Sequence, residues 1–122
     1  MFPEDTLVRI VVKNTSERII TQPGRQELFN WSIFIETEPE SFRKEIEKVI
    51  YHLHPTFPNK DVTIVNESQS LKLSAQGWGE FTIRIEIVLD DGRRVELSHC
   101  LSLFSEEKKK ETTKTMYKMD FS

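Results

Sequence analysis

Two short stretches carry the residue types best suited to chemistry. The first is Leu53-His54-Pro55-Thr56-Phe57-Pro58. Its prolines restrict the backbone and lower the entropy lost on binding. Between them the stretch offers an imidazole, a hydroxyl and an aromatic ring. The second is Gln76-Gly77-Trp78-Gly79-Glu80-Phe81. Glycines on either side of Trp78 relieve crowding around the indole and free backbone N–H groups for close approach. If the indole is exposed, Phe57 and Trp78 form the walls of a slot. A flat neutral group between them gains about 0.5–1.5 kcal/mol per aromatic contact. The Thr56 hydroxyl and the Trp78 backbone N–H supply two donors for an amide oxygen, worth about 0.5–1.5 kcal/mol each. That set suits an acylated lysine, a long apolar stem ending in a planar amide. A charged lysine would meet donors and lose its hydration. A methylated lysine would gain cation–π attraction from the rings, but the donors oppose it. The competing reading of the second stretch is a core tryptophan beside a glycine bulge.

The elements that must position these loops are strands. Phe81, Ile83, Ile85, Ile87 and Leu89 alternate with Glu80, Thr82, Arg84 and Glu86, the period of a half-buried strand. Asp91-Gly92 then signals a hairpin turn. The return strand puts Val95, Leu97, His99, Leu101 and Leu103 inward, so residues 80–104 read as one long hairpin. Shorter strands are predicted at Leu7–Val12, Trp31–Glu36, Lys48–Leu53, Val62–Val65 and Leu71–Ser74, with a closing edge strand over Met116–Phe121. Turn residues occupy Thr21–Glu27, His54–Lys60 and Asn66–Ser70. Ser41–Lys48 fits either a helical turn or a polar loop. This pattern predicts an all-β fold, an antiparallel β-sandwich, with residues 1–122 as a single domain.

Composition removes several function classes. The chain has 122 residues, 37% hydrophobic and 30% charged, which is one globular domain's worth and too apolar for a disordered chain. No apolar run approaches the roughly 20 residues of a membrane-spanning helix, so no membrane partner is expected. Met1-Phe2-Pro3-Glu4-Asp5 lacks a basic and then apolar leader, and no secretory signal is expected. The single cysteine, Cys100, leaves no intramolecular disulfide and fits a reducing compartment. Seventeen basic and 20 acidic residues give a net charge of −3. Lys108-Lys109-Lys110 sits among Glu106, Glu107 and Glu111 and reads as a solvated loop, so nucleic acid is not an expected partner. A mildly acidic domain instead favours a basic partner.

No hydrolase, phosphate-loop, zinc-protease or dinucleotide motif occurs, so neither an enzyme nor a cofactor is expected. His52 and His54 have metal-ligand spacing but no third ligand nearby, and no metal is expected. His99 and Cys100 are strand neighbours on opposite faces, which keeps them from acting as a nucleophile–base pair. His99 reads as a hydrogen-bonded core histidine.

Three segments in order carry a family resemblance. They are Lys48-Val49-Ile50-Tyr51-His52-Leu53-His54-Pro55-Thr56-Phe57, Gly77-Trp78-Gly79-Glu80-Phe81, and Leu97-Ser98-His99-Cys100-Leu101-Ser102-Leu103-Phe104, with Trp31 on an early strand. The chain resembles a YEATS domain from residue 7 to about residue 121. The resemblance implies an immunoglobulin-like β-sandwich that binds acetyl- or crotonyl-lysine on histone tails, mainly histone H3, in the nucleus. It also implies companion subunits of a histone acetyltransferase or chromatin remodelling complex. On matching positions, Thr56 would donate to the acyl oxygen and Phe57 and Trp78 would sandwich the acyl plane. His54 would line the slot and orient Thr56 or the lysine stem, and Gly77 and Gly79 would keep its far end open. Phe29 is the candidate for a further wall. The His-rich approach to Trp31 and the prolines usual before the tryptophan loop are absent, with Glu67-Ser68-Gln69-Ser70 in the latter region. The alternative is an adaptor β-sandwich of a chromatin complex without a working pocket.

Overall fold

The computed structural model describes residues 7–19, 28–66, 71–103 and 111–117. The predicted loop at Thr21–Glu27, the stretch 67–70, the lysine run 108–110 and the residues after Tyr117 lie outside the described residues. Among the described residues eight strands follow one another: β1 (Leu7–Ile19), β2 (Leu28–Glu38), β3 (Ile46–His52), β4 (Asp61–Val65), β5 (Leu73–Gly77), β6 (Thr82–Leu89), β7 (Arg94–Cys100) and β8 (Glu111–Tyr117). A 3-10 helix at Glu40–Glu45 occupies the segment left open between a helical turn and a loop, and it buries Phe42.

The strands form two four-stranded sheets, ordered β5-β2-β1-β8 and β4-β3-β6-β7. Every pairing is antiparallel. The architecture is the expected all-β, immunoglobulin-like sandwich.

The core follows from the period of two. Val8, Ile10 and Val12 of β1 and Trp31, Ile33 and Ile35 of β2 face Val49, Tyr51, Ile83, Ile85, Ile87, Val95 and Leu97 of the other sheet in one buried cluster. In the β6–β7 hairpin the turn residues are Asp90-Asp91-Gly92. The Gly92 N–H donates to the Leu89 carbonyl at 2.9 Å, and the Leu89 N–H donates to the Arg93 carbonyl at 2.8 Å. Gly92 has φ of 90°, a left-handed conformation that costs glycine little.

Several strand bounds differ from the sequence expectation: β8 runs over Glu111–Tyr117 where the sequence predicts Met116–Phe121, β2 starts at Leu28 rather than Trp31, and β1 and β5 differ as well. β1 continues past Val12 to Ile19 although the added residues are mostly polar. Each of them pairs with a residue of β2, from Lys13↔Phe34 to Ile19↔Leu28, so ladder hydrogen bonds rather than apolar content extend it. β5 begins at Leu73 instead of Leu71. Leu71 takes φ of 59°, outside strand geometry, and its carbonyl accepts the Tyr51 hydroxyl at 2.6 Å. Burial pushes the Tyr51 phenol well above its usual value, so it remains a donor.

One buried polar cluster joins the sheets. The Asn14 amide on β1 donates to the Ser102 carbonyl at 2.9 Å. Its oxygen accepts the Ser102 N–H at 3.2 Å and His99 Nε2–H at 2.7 Å. His99 is therefore the hydrogen-bonded core histidine that its apolar strand face implied. Burial holds its imidazole below the usual 6.5. As pH falls, the unfolded chain takes up this proton before the folded one. The stability from a neutral His99 is complete above the unfolded value and lost as pH drops through the folded one. We expect the urea midpoint to fall between about pH 7.5 and about pH 5, with a flatter response in His99→Gln, whose amide still donates to Asn14.

Candidate functional site

The loop between β3 and β4 is closed at its neck. His52 and Asp61 are cross-strand partners, with His52 Nδ1 2.7 Å from Asp61 Oδ1 and Nε2 3.1 Å from Glu86 Oε1. The hydrogen bond with His52 holds the Asp61 carboxyl below the usual carboxylate range. One residue inward the Leu53 N–H donates to the Lys60 carbonyl. Within the loop the Phe57 N–H donates to the His54 carbonyl at 3.0 Å, a tight turn that brings the side chains of His54, Thr56 and Phe57 to the end of the sandwich.

His52 and His54 thus part company. His52 is engaged at the sheet surface, whereas His54 turns to Thr56. Among the described residues no group of three His, Cys, Asp or Glu could hold a metal ion.

Inside the loop His54 Nδ1 lies 2.9 Å from Thr56 Oγ1 and accepts the Thr56 N–H at 3.2 Å. That backbone contact makes Nδ1 an acceptor and places the ring proton on Nε2. The Thr56 hydroxyl hydrogen can then serve Nδ1 or turn to an incoming oxygen, while the backbone N–H keeps the ring in place.

The second loop, after β5, faces the first across a cavity of about 490 Å³. His54, Thr56, Phe57 and Pro58 line it from one loop, residues 76–81 from the other, and Leu28 from β2. Glu80 anchors its loop by accepting the Leu103 N–H at 2.7 Å, and the Phe81 carbonyl accepts the Leu101 N–H at 3.0 Å.

Aromatic rings set the floor. Trp31 meets Phe57 edge-on at 6.2 Å and 84°, and Phe81 at 6.2 Å and 73°. Phe57 and Phe81 lie 5.6 Å apart, and His54 packs on Phe81 at 5.9 Å. Such contacts are worth about 0.5–1.5 kcal/mol each beyond area burial. Trp78 stands apart from this group. It is 56% exposed and, among the described residues, contacts no other ring. The core-tryptophan reading therefore belongs to Trp31, which is 2% exposed, and not to Trp78.

The structure brings His54, Thr56, Phe57, Gly77, Trp78 and Gly79 to one cavity. Phe29 is a correction. It is buried in the core cluster and does not line the cavity, because the strand alternation turns it inward and its neighbour Leu28 outward. Sequence reasoning missed Leu28, Pro58, Gln76, Glu80 and Phe81 as lining residues, and Trp31 as the ring beneath them. Phe81 had a usable signal, since it ends the inward run of β6 at the mouth of the sandwich.

The family model for the prokaryotic YEATS domain matches residues 29–102. The chain belongs to the prokaryotic YEATS domain family. Among curated relatives, the AF-9 homolog of Kluyveromyces lactis is 39% identical over 62 residues, covering 50% of this chain and 27% of that protein. The AF-9 homolog of Schizosaccharomyces pombe is 40% identical over 58 residues, covering 47% of this chain and 26% of that protein. The YEATS domain thus matches little more than a quarter of either relative's length. The crystal structure of the yeast AF-9 homolog Yaf9 superposes with a TM-score of 0.72 at 23% identity, covering 91% of this chain and 77% of that one. The Yaf9 YEATS domain recognising an H3K122suc peptide gives 0.70 at 24% identity, covering 93% and 86%. The Yaf9 YEATS domain bound to H3K27ac gives 0.68 at 23% identity, covering 92% and 87%. These likenesses establish the fold.

The two glycines flanking Trp78 in this YEATS domain are not equivalent. A Cβ at Gly77 would stand 3.3 Å from Trp31 Nε1 and 3.8 Å from Phe57 Cζ, whereas one at Gly79 would meet nothing within 4 Å. We expect Gly77→Ala to destabilise the fold by about 1–2 kcal/mol through crowding of Trp31. We expect Gly79→Ala to stay within about 0.5 kcal/mol of the parent in urea unfolding.

Proposed function

We propose that this YEATS domain is a binding module for acylated lysine, with the acyl amide seated between Phe57 and Trp78. The observation that supports it is an exposed indole and a half-buried phenyl ring on separate loops around one cavity, beside the Thr56 hydroxyl. The amide plane stacks on the rings. The Thr56 hydroxyl turns from His54 Nδ1 and donates to the acyl oxygen, and the Trp78 backbone N–H is the second donor. His54 holds Thr56 through the backbone bond that remains. Gly79 has open space where a side chain would stand, which leaves room for acyl chains longer than acetyl. The apolar stem and neutral amide lose little on leaving water, whereas an ammonium would lose much.

The partner we propose is the tail of histone H3, in the nucleus, with the domain held in a histone acetyltransferase or remodelling complex. Support comes from the Yaf9 structures with H3K27ac and H3K122suc peptides and from the acidic balance of the chain, which favours a basic tail. A second reading is favoured by the prokaryotic description of the matching family. The slot senses an amide and an alkyl stem rather than a histone sequence, so the same cavity would serve acylated lysine on other basic proteins.

A short peptide held by one slot should bind with a Kd of about 10–300 μM. Titration with acetyl-, crotonyl- and unmodified H3 peptides, and with the same acyl-lysine in an unrelated sequence, separates the readings. Binding of acylated H3 alone supports the histone partner, and equal binding of both sequences supports the second reading. No response to any acylated peptide would leave an adaptor role. Trp78→Ala should lose at least about tenfold in affinity with the fold intact, because the ring is exposed. Thr56→Ala should lose about 1–2 kcal/mol of binding, and an unchanged titration would remove Thr56 from the site.

A further inference from the structure

Trp31 Nε1–H is buried and has no hydrogen-bond partner among the described residues. Buried indole N–H groups ordinarily find an acceptor, so an orphan one calls for an explanation. Its location is informative. The position that a Gly77 Cβ would take lies 3.3 Å from Nε1 and 3.8 Å from Phe57 Cζ. Gly77 and Phe57 both line the cavity. The donor therefore sits directly behind the cavity wall, where that wall has no side chain. Phe57 is the part that can yield. It is half-buried, lies on a loop, and touches Trp31 only edge-on.

We propose that Trp31 Nε1–H is a deep donor of the acyl-lysine cavity, reached when Phe57 tilts away from Gly77. It would serve an acyl chain that carries an uncharged oxygen acceptor beyond its carbonyl, a hydroxyacyl-lysine. This assignment rests on the acyl-lysine reading above. A plain hydrocarbon chain at that depth leaves the indole unsatisfied, whereas an alcohol oxygen supplies the missing acceptor. A carboxylate is a poorer match. The cavity lining contains neither lysine nor arginine, so an anion would give up its water for one neutral donor.

The test needs no variant for its main readout. The chain has two tryptophans, and nitrogen-labelled protein gives one indole N–H signal for each. Trp78→Phe identifies the Trp31 signal by elimination. The protein is titrated with one H3 peptide carrying either butyryl- or β-hydroxybutyryl-lysine. We expect the Trp31 indole proton to move downfield with the hydroxylated peptide only, and that peptide to bind at least about threefold tighter. Trp31→Phe, where it folds, should erase the affinity ratio. If both peptides bind equally and the Trp31 signal responds alike to both, the deep donor is overturned while the acyl-lysine reading stands. If neither peptide binds, the acyl-lysine reading itself fails and the deep donor falls with it.

Discussion

The placement of the Trp31 indole across a bare Gly77 governs the cavity end of this domain. Trp31 projects inward from β2, and β5 runs alongside with Gly77 two residues beyond Ala75, the register partner of Trp31. Any side chain at Gly77 would crowd the indole. With that space free, the indole braces Phe57 and Phe81 edge-on. Two loops, one joining neighbours in a sheet and one crossing between the sheets, thus rest on one buried ring. The cavity is a consequence: Phe57 is supported from below, Trp78 has no ring to lean on among the described residues, and the space between the loops stays open.

The rest of the sandwich holds this arrangement steady. The neck of the first loop is fixed by the His52–Asp61 pair and the Leu53–Lys60 bond. The second loop is fixed by Glu80 and Phe81, whose oxygens take the N–H groups of Leu103 and Leu101. The same Leu101–Leu103 segment is tied across the sandwich through Ser102 to Asn14. The loops therefore meet on a frame that both sheets share. A preorganised frame would matter for the proposed site, because ordering costs would otherwise consume the gain from its few weak contacts.

Much of this was legible in the residues. The alternation of β6 and β7 gave their inner faces, and the Asp91-Gly92 pair gave the hairpin. Both signals are local, since side chains alternate along any strand. The extent of β1 was not legible, because polar residues from Lys13 onward enter the ladder only when β2 lies beside them. Leu71 was misplaced for a similar reason. Its left-handed backbone is held by the hydroxyl of Tyr51, twenty residues earlier. Residue type and spacing singled out His54, Thr56, Phe57 and Trp78, which the fold gathers around one cavity. The face of Phe29 was not legible because the predicted strand starts at Trp31; only the ladder with β5, which carries β2 back to Phe29, puts that residue on the inner face with Trp31.

Taken alone, the sequence determined the sandwich class, the two loops and the chemistry they present. Proline, glycine and aromatic residues impose their preferences on short segments without help from distant parts of the chain. The tertiary structure decided which tryptophan is buried and which is exposed, which neighbour on β2 reaches the cavity, and why Gly77 and Gly79 differ. Those outcomes depend on contacts between residues far apart in the chain, and side-chain volume has meaning there only once the two sheets close on each other.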